Sequence, residues 1–133
     1  MKNISIPKSF LKVHYDGQKY PGHATGLGGG SNCQHFAYEL LRYFGKTIPN
    51  FRSSNLWEDT KHTKRVKILQ SLDLLLFNHT RNSWGAHVGV YIGNGKIIHL
   101  CKEVGRPAIW TMHDFKVRDR YRAFIGAKRA IDI

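Results

Sequence analysis

The sequence predicts an α+β domain in which an N-terminal helix carrying a cysteine packs on an antiparallel sheet. Two observations lead there. An apolar stripe at helical spacing opens at Cys33, and short strand-like runs fill the second half of the chain, two of them joined by Gly93, Asn94 and Gly95. With 133 residues, 41% of them hydrophobic, the chain is long enough for one sizeable core and too short for two. A single domain is therefore expected over 1–133.

The helix is the clearest element. Ser31 and Asn32 suit its N-cap, Cys33, Phe36, Ala37, Leu40, Leu41 and Phe44 follow the three-four spacing of one face, and Gly45 is placed to end it. Cys33 thus falls in the first turn, on the buried stripe. Gln34 and His35 fall off it, so His35 is expected to be partly exposed. The preceding TGLGGGSN stretch lacks the Lys-Ser/Thr that closes a phosphate-binding loop and reads as a closely packed loop. After Pro49, the Ser and Asn caps of RSSNLWEDT predict a short helix at Leu56, Trp57 and Glu58. Three strand-like runs follow, Leu72 to Phe77, Ala86 to Ile92 and Lys96 to Cys101, with further strands expected near Ile109 and Trp110 and from Tyr121 to Ala127.

The register of the hairpin decides which side chains share a face. A two-residue turn pairs Ile92 with Ile97 and puts His87 and His99 on opposite faces. A three-residue loop pairs Ile92 with Lys96 and Gly89 with His99. The second register segregates the apolar residues more cleanly. Val88, Val90, Ile92, Ile98 and Leu100 form one face, and His87, Gly89, Tyr91, His99 and Cys101 the other. The two histidines then sit diagonally, roughly 7 to 8 Å apart at Cα, with a glycine leaving room between them.

A thiol at a helix N-terminus and two histidines on one strand face make a set with chemistry in it. The helix dipole, the free N–H groups of the first turn and a nearby imidazolium all favour a thiolate. Cys33 is the candidate nucleophile, His87 the candidate proton acceptor and donor, and His99 the residue that orients His87. The Cys33 backbone N–H is a candidate oxyanion donor. A tetrahedral zinc site made by Cys33, His87, His99 and Cys101 is the alternative use of the same residue types.

Net charge separates other classes. Lys and Arg outnumber Asp and Glu by 21 to 9, giving +12, but six, seven and eight basic residues fall in 1–50, 51–100 and 101–133. That spread is unlike a basic tail. The local cluster of Lys61, Lys64, Arg65 and Lys67 has neither an aromatic-rich sheet nor a helix-turn-helix pattern beside it, so no nucleic acid is expected as partner. The two cysteines lie outside any C-x-x-C pair, which argues against a disulfide framework or a zinc knuckle and for a reducing compartment. The N-terminal segment lacks the apolar run of a signal peptide, and no run is long enough to cross a bilayer. A cytoplasmic location is expected, and delivery by a specialised secretion system fits equally.

These residues also resemble a known family, the papain-like NlpC-type cell-wall cysteine peptidases, from about Tyr20 to Arg129. The likeness rests on Cys33 at a helix start after a glycine-rich loop and on LDLLLF, where the family has a Gly-Asp-Leu strand. Above all it rests on HVGVYIGNGKIIH, whose second histidine lies twelve positions after the first. The resemblance implies Cys33 as nucleophile, His87 as general base, His99 as third residue, and no metal or other cofactor. It also implies that Tyr20, thirteen positions before Cys33, helps line the site, a position Tyr15 also fits. Trp84, just before the His87 strand, is a candidate wall of a substrate groove. Where the family has Asp-Cys-Ser-Gly, this chain has Asn32-Cys33-Gln34-His35, and the NCQHF string is similar to the Asn-Cys-Glu-His-Phe of lecithin:retinol acyltransferase-like enzymes, which carry their histidine before the cysteine. The expected function is hydrolysis of an amide through an acyl-enzyme, in a peptidoglycan-derived or other D-amino-acid-containing peptide. Acyl transfer, ester or lipid hydrolysis, and a non-enzymatic binding domain on the same fold are the alternatives.

Overall fold

The stripe that begins at Cys33 forms helix α1 (Cys33–Tyr43), in a computed structural model that describes residues 4–23 and 25–131. The Asn32 side chain accepts from the His35 backbone N–H at 2.8 Å and caps the first turn, and the chain leaves the helix through Phe44 and Gly45. A short helix α2 (Ser53–Glu58) follows, and strands β1 (Thr63–Val66), β2 (Leu74–Asn78), β3 (His87–Gly93), β4 (Lys96–Leu100), β5 (Pro107–Trp110) and β6 (Ala123–Ala130) build one sheet. Helix α3 (Met112–Lys116) lies between β5 and β6. The strand order is β1-β6-β2-β3-β4-β5, antiparallel throughout.

Both faces of the sheet are covered. On one, Phe36, Ala37, Leu40 and Leu41 of α1 pack on Leu74, Leu76, Val88, Val90, Ile98 and Leu100. On the other, Leu75, Phe77, Tyr91, Ile97 and Cys101 pack with Phe115 of α3 and with Tyr121. This is why LDLLLF reads as a continuous apolar run with no alternation. The strand itself starts two residues later than expected. Leu72 has φ 78°, and the buried Asp73 accepts from the Gln70 N–H and pairs with Arg129 through two bonds of 2.8 and 2.9 Å. Asp73 is thus a corner that ties β2 to β6.

The hairpin keeps the predicted register and builds its loop differently. Val90 pairs with Ile98 and Tyr91 with Ile97, but Gly93 pairs with Lys96, with a register shift between Tyr91 and Gly93. Asn94 and Gly95, at φ 55° and 74°, form a two-residue turn, and the irregularity at Ile92 takes up the odd residue. The outcome for the side chains is the same, with His87, Tyr91 and His99 on the face opposite α1.

Two elements were not anticipated. β1 contains Lys64 and Arg65 of the basic cluster and is an edge strand whose charges face solvent, a common protection against edge pairing. Arg65 stacks on Trp57 at 4.0 Å and donates to its carbonyl, so part of that cluster holds α2 against the sheet. Lys128 does the same from β6. It is buried, and its Nζ donates to the carbonyls of Trp57 and Asp59 at the C-terminal end of α2. α3 is announced by a capping box, Thr111 and Asp114, whose reciprocal bonds are both present.

Candidate active site

His87 opens β3 and His99 lies near the end of β4, and their rings meet. His87 Nε2 and His99 Nδ1 are 2.8 Å apart, with the ring planes nearly perpendicular. Gly89 sits between them in the sheet. A Cβ there would come within 2.7 Å of Ile97 Cγ2 and 3.4 Å of His99 Cβ, so a larger residue would displace the strand that carries His99. Aromatic rings enclose the pair. Trp110 and Phe115 lie 4.1 and 4.7 Å from the His99 ring, and Tyr121 lies 4.8 Å from His87.

Cys33 stands at the start of α1, on the opposite face of the sheet from the pair. Its sulfur interacts with the backbone N–H groups of Val88, Cys33 and Gln34, which places it at the start of β3, one residue beyond His87. Cys33 and His87 line one cleft of about 240 Å³ with Tyr15, Asn32, Gln34, Arg52, Glu103, Arg120 and Tyr121 among its other walls. Larger hollows of about 550 and 610 Å³ lie elsewhere on the surface and contain no cysteine.

The electrostatics differ from the sequence expectation. Burial pushes the Cys33 thiol up to about 11, and the three N–H groups oppose this only in part. Burial also holds His87 down at about 4, with Glu103 pulling upward and Arg120 downward. Thiol and imidazole are therefore both neutral at rest, where the helix N-terminus alone would have favoured a thiolate. Burial also pushes His99 below its ordinary range, and His87 and Arg118 add to the shift.

The proton positions follow from the hydrogen bond. His87 uses Nε2 toward His99, which leaves Nδ1 for the thiol. To accept a proton at Nδ1, neutral His87 must carry its hydrogen at Nε2, so His99 accepts at Nδ1 and holds its own hydrogen at Nε2. That atom is buried with no hydrogen-bond partner. The rings of Trp110 and Phe115 lie beside His99, and an aromatic ring is only a weak acceptor.

A pH prediction arises from the same burial. The unfolded chain protonates His87 near 6.5, whereas the folded chain resists until about 4. This contribution to stability is present above pH 6.5 and lost as pH falls toward 4. The loss is about 3 kcal/mol from His87, with His99 adding in the same direction. Urea unfolding at pH 7.5 and 4.5 measures it, and equal stability at the two values contradicts it.

Other expected site residues lie elsewhere. Tyr20 does not line the cleft. It stacks on His23 at 4.8 Å and lies under the Arg52 guanidinium at 4.9 Å, while Tyr15 is the tyrosine in the cleft wall. Trp84 is 76% exposed and also outside the lining. His35 is buried, its Nε2 within 2.6 Å of the Gly26 carbonyl, because the glycine-rich loop folds over that side of α1. Among the described residues no group of three or more His, Cys, Asp or Glu is arranged to hold a metal ion, so the four candidate zinc ligands do not gather as one. Nor is any helix among them long and apolar enough to cross a membrane. Sequence reasoning missed the Glu103, Arg120 and Tyr121 wall. Glu103 accepts from Arg120 at 2.9 Å and from the Tyr121 hydroxyl at 2.7 Å, linking the loop after β4 to the turn before β6.

Comparison with known proteins agrees with the fold. The model of the NlpC/P60 family matches residues 15–121. Among solved structures, an NlpC/P60 family protein from Bacillus cereus superposes with a TM-score of 0.59 at 26% identity, over 86% of this chain and 36% of that one. The chain therefore spans about a third of that protein's length. No curated protein matches the chain.

Proposed function

The chain belongs to the NlpC/P60 family, a membership that supports a cysteine peptidase or amidase of the cell-wall hydrolase type, and from that premise we propose that Cys33, His87 and His99 are its catalytic residues. The observation that carries the reading is the shared cleft, lined by Cys33 and by a His87 hydrogen-bonded to His99.

In this reading Cys33 Sγ attacks the carbonyl carbon of an amide as its proton passes to His87 Nδ1. The carbonyl oxygen takes up the negative charge and is held by the Cys33 N–H at the start of α1. As the tetrahedral intermediate collapses the C–N bond breaks, and His87 returns the proton to the departing amine. His87 then takes a proton from water, whose oxygen attacks the thioester. The C–S bond breaks, the acid leaves and the thiol is restored. His99 contributes by fixing the ring and accepting from its Nε2–H as the imidazolium forms. Neutral resting groups suit this order, because proton transfer accompanies attack and no standing ion pair has to be maintained.

The substrate class that fits is a peptidoglycan-derived peptide or another anionic peptide containing D-amino acids. The cleft walls carry Arg52, Lys102 and Arg120 against Glu103 alone, and a net positive site attracts anions. Purified protein incubated with a panel of stem peptides and acyl lipids, read by mass spectrometry, tests this. Peptide cleavage that disappears in Cys33→Ala supports the reading. Turnover of acyl lipids alone moves the activity to acyl transfer or ester hydrolysis.

A further inference from the structure

Resting on the hydrolase reading, we infer that Glu103 is a positioning residue for His87: through the Tyr121 hydroxyl it fixes the ring that covers the imidazole, and its carboxylate balances the imidazolium formed during turnover. Glu103 lies in the loop after β4, and Tyr121 ends the turn Asp119–Tyr121 before β6. The Tyr121 ring stands 4.8 Å from the His87 ring, and its hydroxyl donates to Glu103 Oε1 at 2.7 Å. Arg120 donates to Oε2 at 2.9 Å, so each carboxylate oxygen has its own donor. Tyr121 is buried, and it meets the fully buried Phe115 edge to face at 6.0 Å. Turning Tyr121 away from His87 would break its bond to Glu103 and open the aromatic enclosure.

The charges around His87 single out Glu103. His99 faces His87 from β4, Cys33 and Tyr15 line the same cleft, Tyr121 and Arg120 come from the turn before β6, and Glu103 from the loop after β4. Arg118 stands beyond, over Trp110, and Arg52 and Lys102 complete the basic wall. Burial keeps Cys33 and both histidines neutral at rest and keeps the protons on Tyr15 and Tyr121. Burial also opposes ionisation of Glu103, yet the bonds from Tyr121 and Arg120 hold its carboxyl below the ordinary range. Among the described residues it is the one carboxylate that lines the cleft. When His87 takes the thiol proton, the imidazolium forms inside an aromatic enclosure where His99 supplies a hydrogen bond and no charge. Glu103 then attracts it and Arg120 repels it. The two members of one ion pair thus act on one ring in opposite senses, an asymmetry that a merely structural pair does not have.

The test separates charge from packing. Glu103→Gln keeps an acceptor for Tyr121 and removes the negative charge, whereas Arg120→Met removes the opposing charge and leaves the Tyr121 bond. The Arg120 and Glu103 side chains are 64% and 45% exposed, so neither variant is expected to unfold the protein. Ring ¹⁵N resonances of His87 are followed from pH 7.5 to 4 in substrate-free protein. Protonation is expected to begin at a lower pH than in wild type in Glu103→Gln and at a higher pH in Arg120→Met. With a cleaved peptide, Glu103→Gln should lower kcat about 5- to 10-fold with KM little changed, while Arg120→Met leaves kcat at or above the wild-type value. Tyr121→Phe keeps the covering ring without its anchor and should lower kcat about fivefold, the size of one hydrogen bond. Equal losses of kcat in the two charge variants, or His87 protonation that moves the same way in both or in neither, overturns the positioning role while leaving the hydrolase reading intact. If no peptide is cleaved, the hydrolase reading falls, and the His87 resonances alone judge the role of Glu103. Opposite displacements support it, and parallel or absent ones overturn it.

Discussion

Replacing Cys33 by alanine is expected to lower kcat/KM by about 10⁴-fold or more, and His87→Ala to cost nearly as much. The double variant should be no worse than either single one. The reason is that in the proposed mechanism the two groups act as a unit. With the thiol held at about 11, the attacking sulfur depends on an adjacent base, and without the sulfur the base has no proton to take. Independent contributions would multiply, so a double variant a further thousandfold slower contradicts the pairing. Cys33→Ala removes one sulfur atom from a half-buried position and leaves the Asn32 cap in place, so its effect should appear in activity with little change in unfolding.

His99 variants should show the second largest effect, divided between chemistry and packing. In His99→Ala the Nε2–H of His87 loses its acceptor inside an aromatic enclosure, and the ring is free to turn. A fall in kcat of about 10²- to 10³-fold is expected, with KM little changed. The same change empties a fully buried site beside Trp110 and Phe115, at a cost of about 2–4 kcal/mol in unfolding free energy. His99→Asn separates the two effects. An asparagine oxygen can only accept, so it retains orientation without the choice of tautomer that histidine has, and it should recover much of the lost kcat while remaining less stable than wild type. Full activity in His99→Ala contradicts a role for this residue in orienting His87.

The sequence made the main features of this site legible because they depend on periodicities. The three-four stripe from Cys33 marked α1, and the cleaner apolar segregation along HVGVYI and KIIHL selected the parity that puts both histidines on one face, which the structure reaches through a two-residue turn and a register shift at Ile92. Residues whose position depends on tertiary contacts were not legible. Tyr15 and Tyr20 carry the same chemistry a few positions apart, and only the packing of the loop before α1 selects the first for the cleft. β1 was hidden because a four-residue edge strand with two consecutive basic residues has no apolar face to count. α3 is too short for a periodic signal, yet its Thr111 and Asp114 box was visible, and reading it would have brought Phe115 toward His99. The charge state of Cys33 was misjudged for a related reason. The helix N-terminus is written in the sequence, whereas burial of the thiol under the start of β3 appears only in the fold.

Intact-mass spectrometry of protein quenched in acid during turnover of a cleaved peptide tests the central claim most directly. The account predicts a wild-type population heavier by the mass of the acyl fragment, with the adduct mapped to Cys33, and no such species in Cys33→Ala. Turnover of the peptide with no acylated protein at any quench time, or an adduct on Cys101, would contradict it.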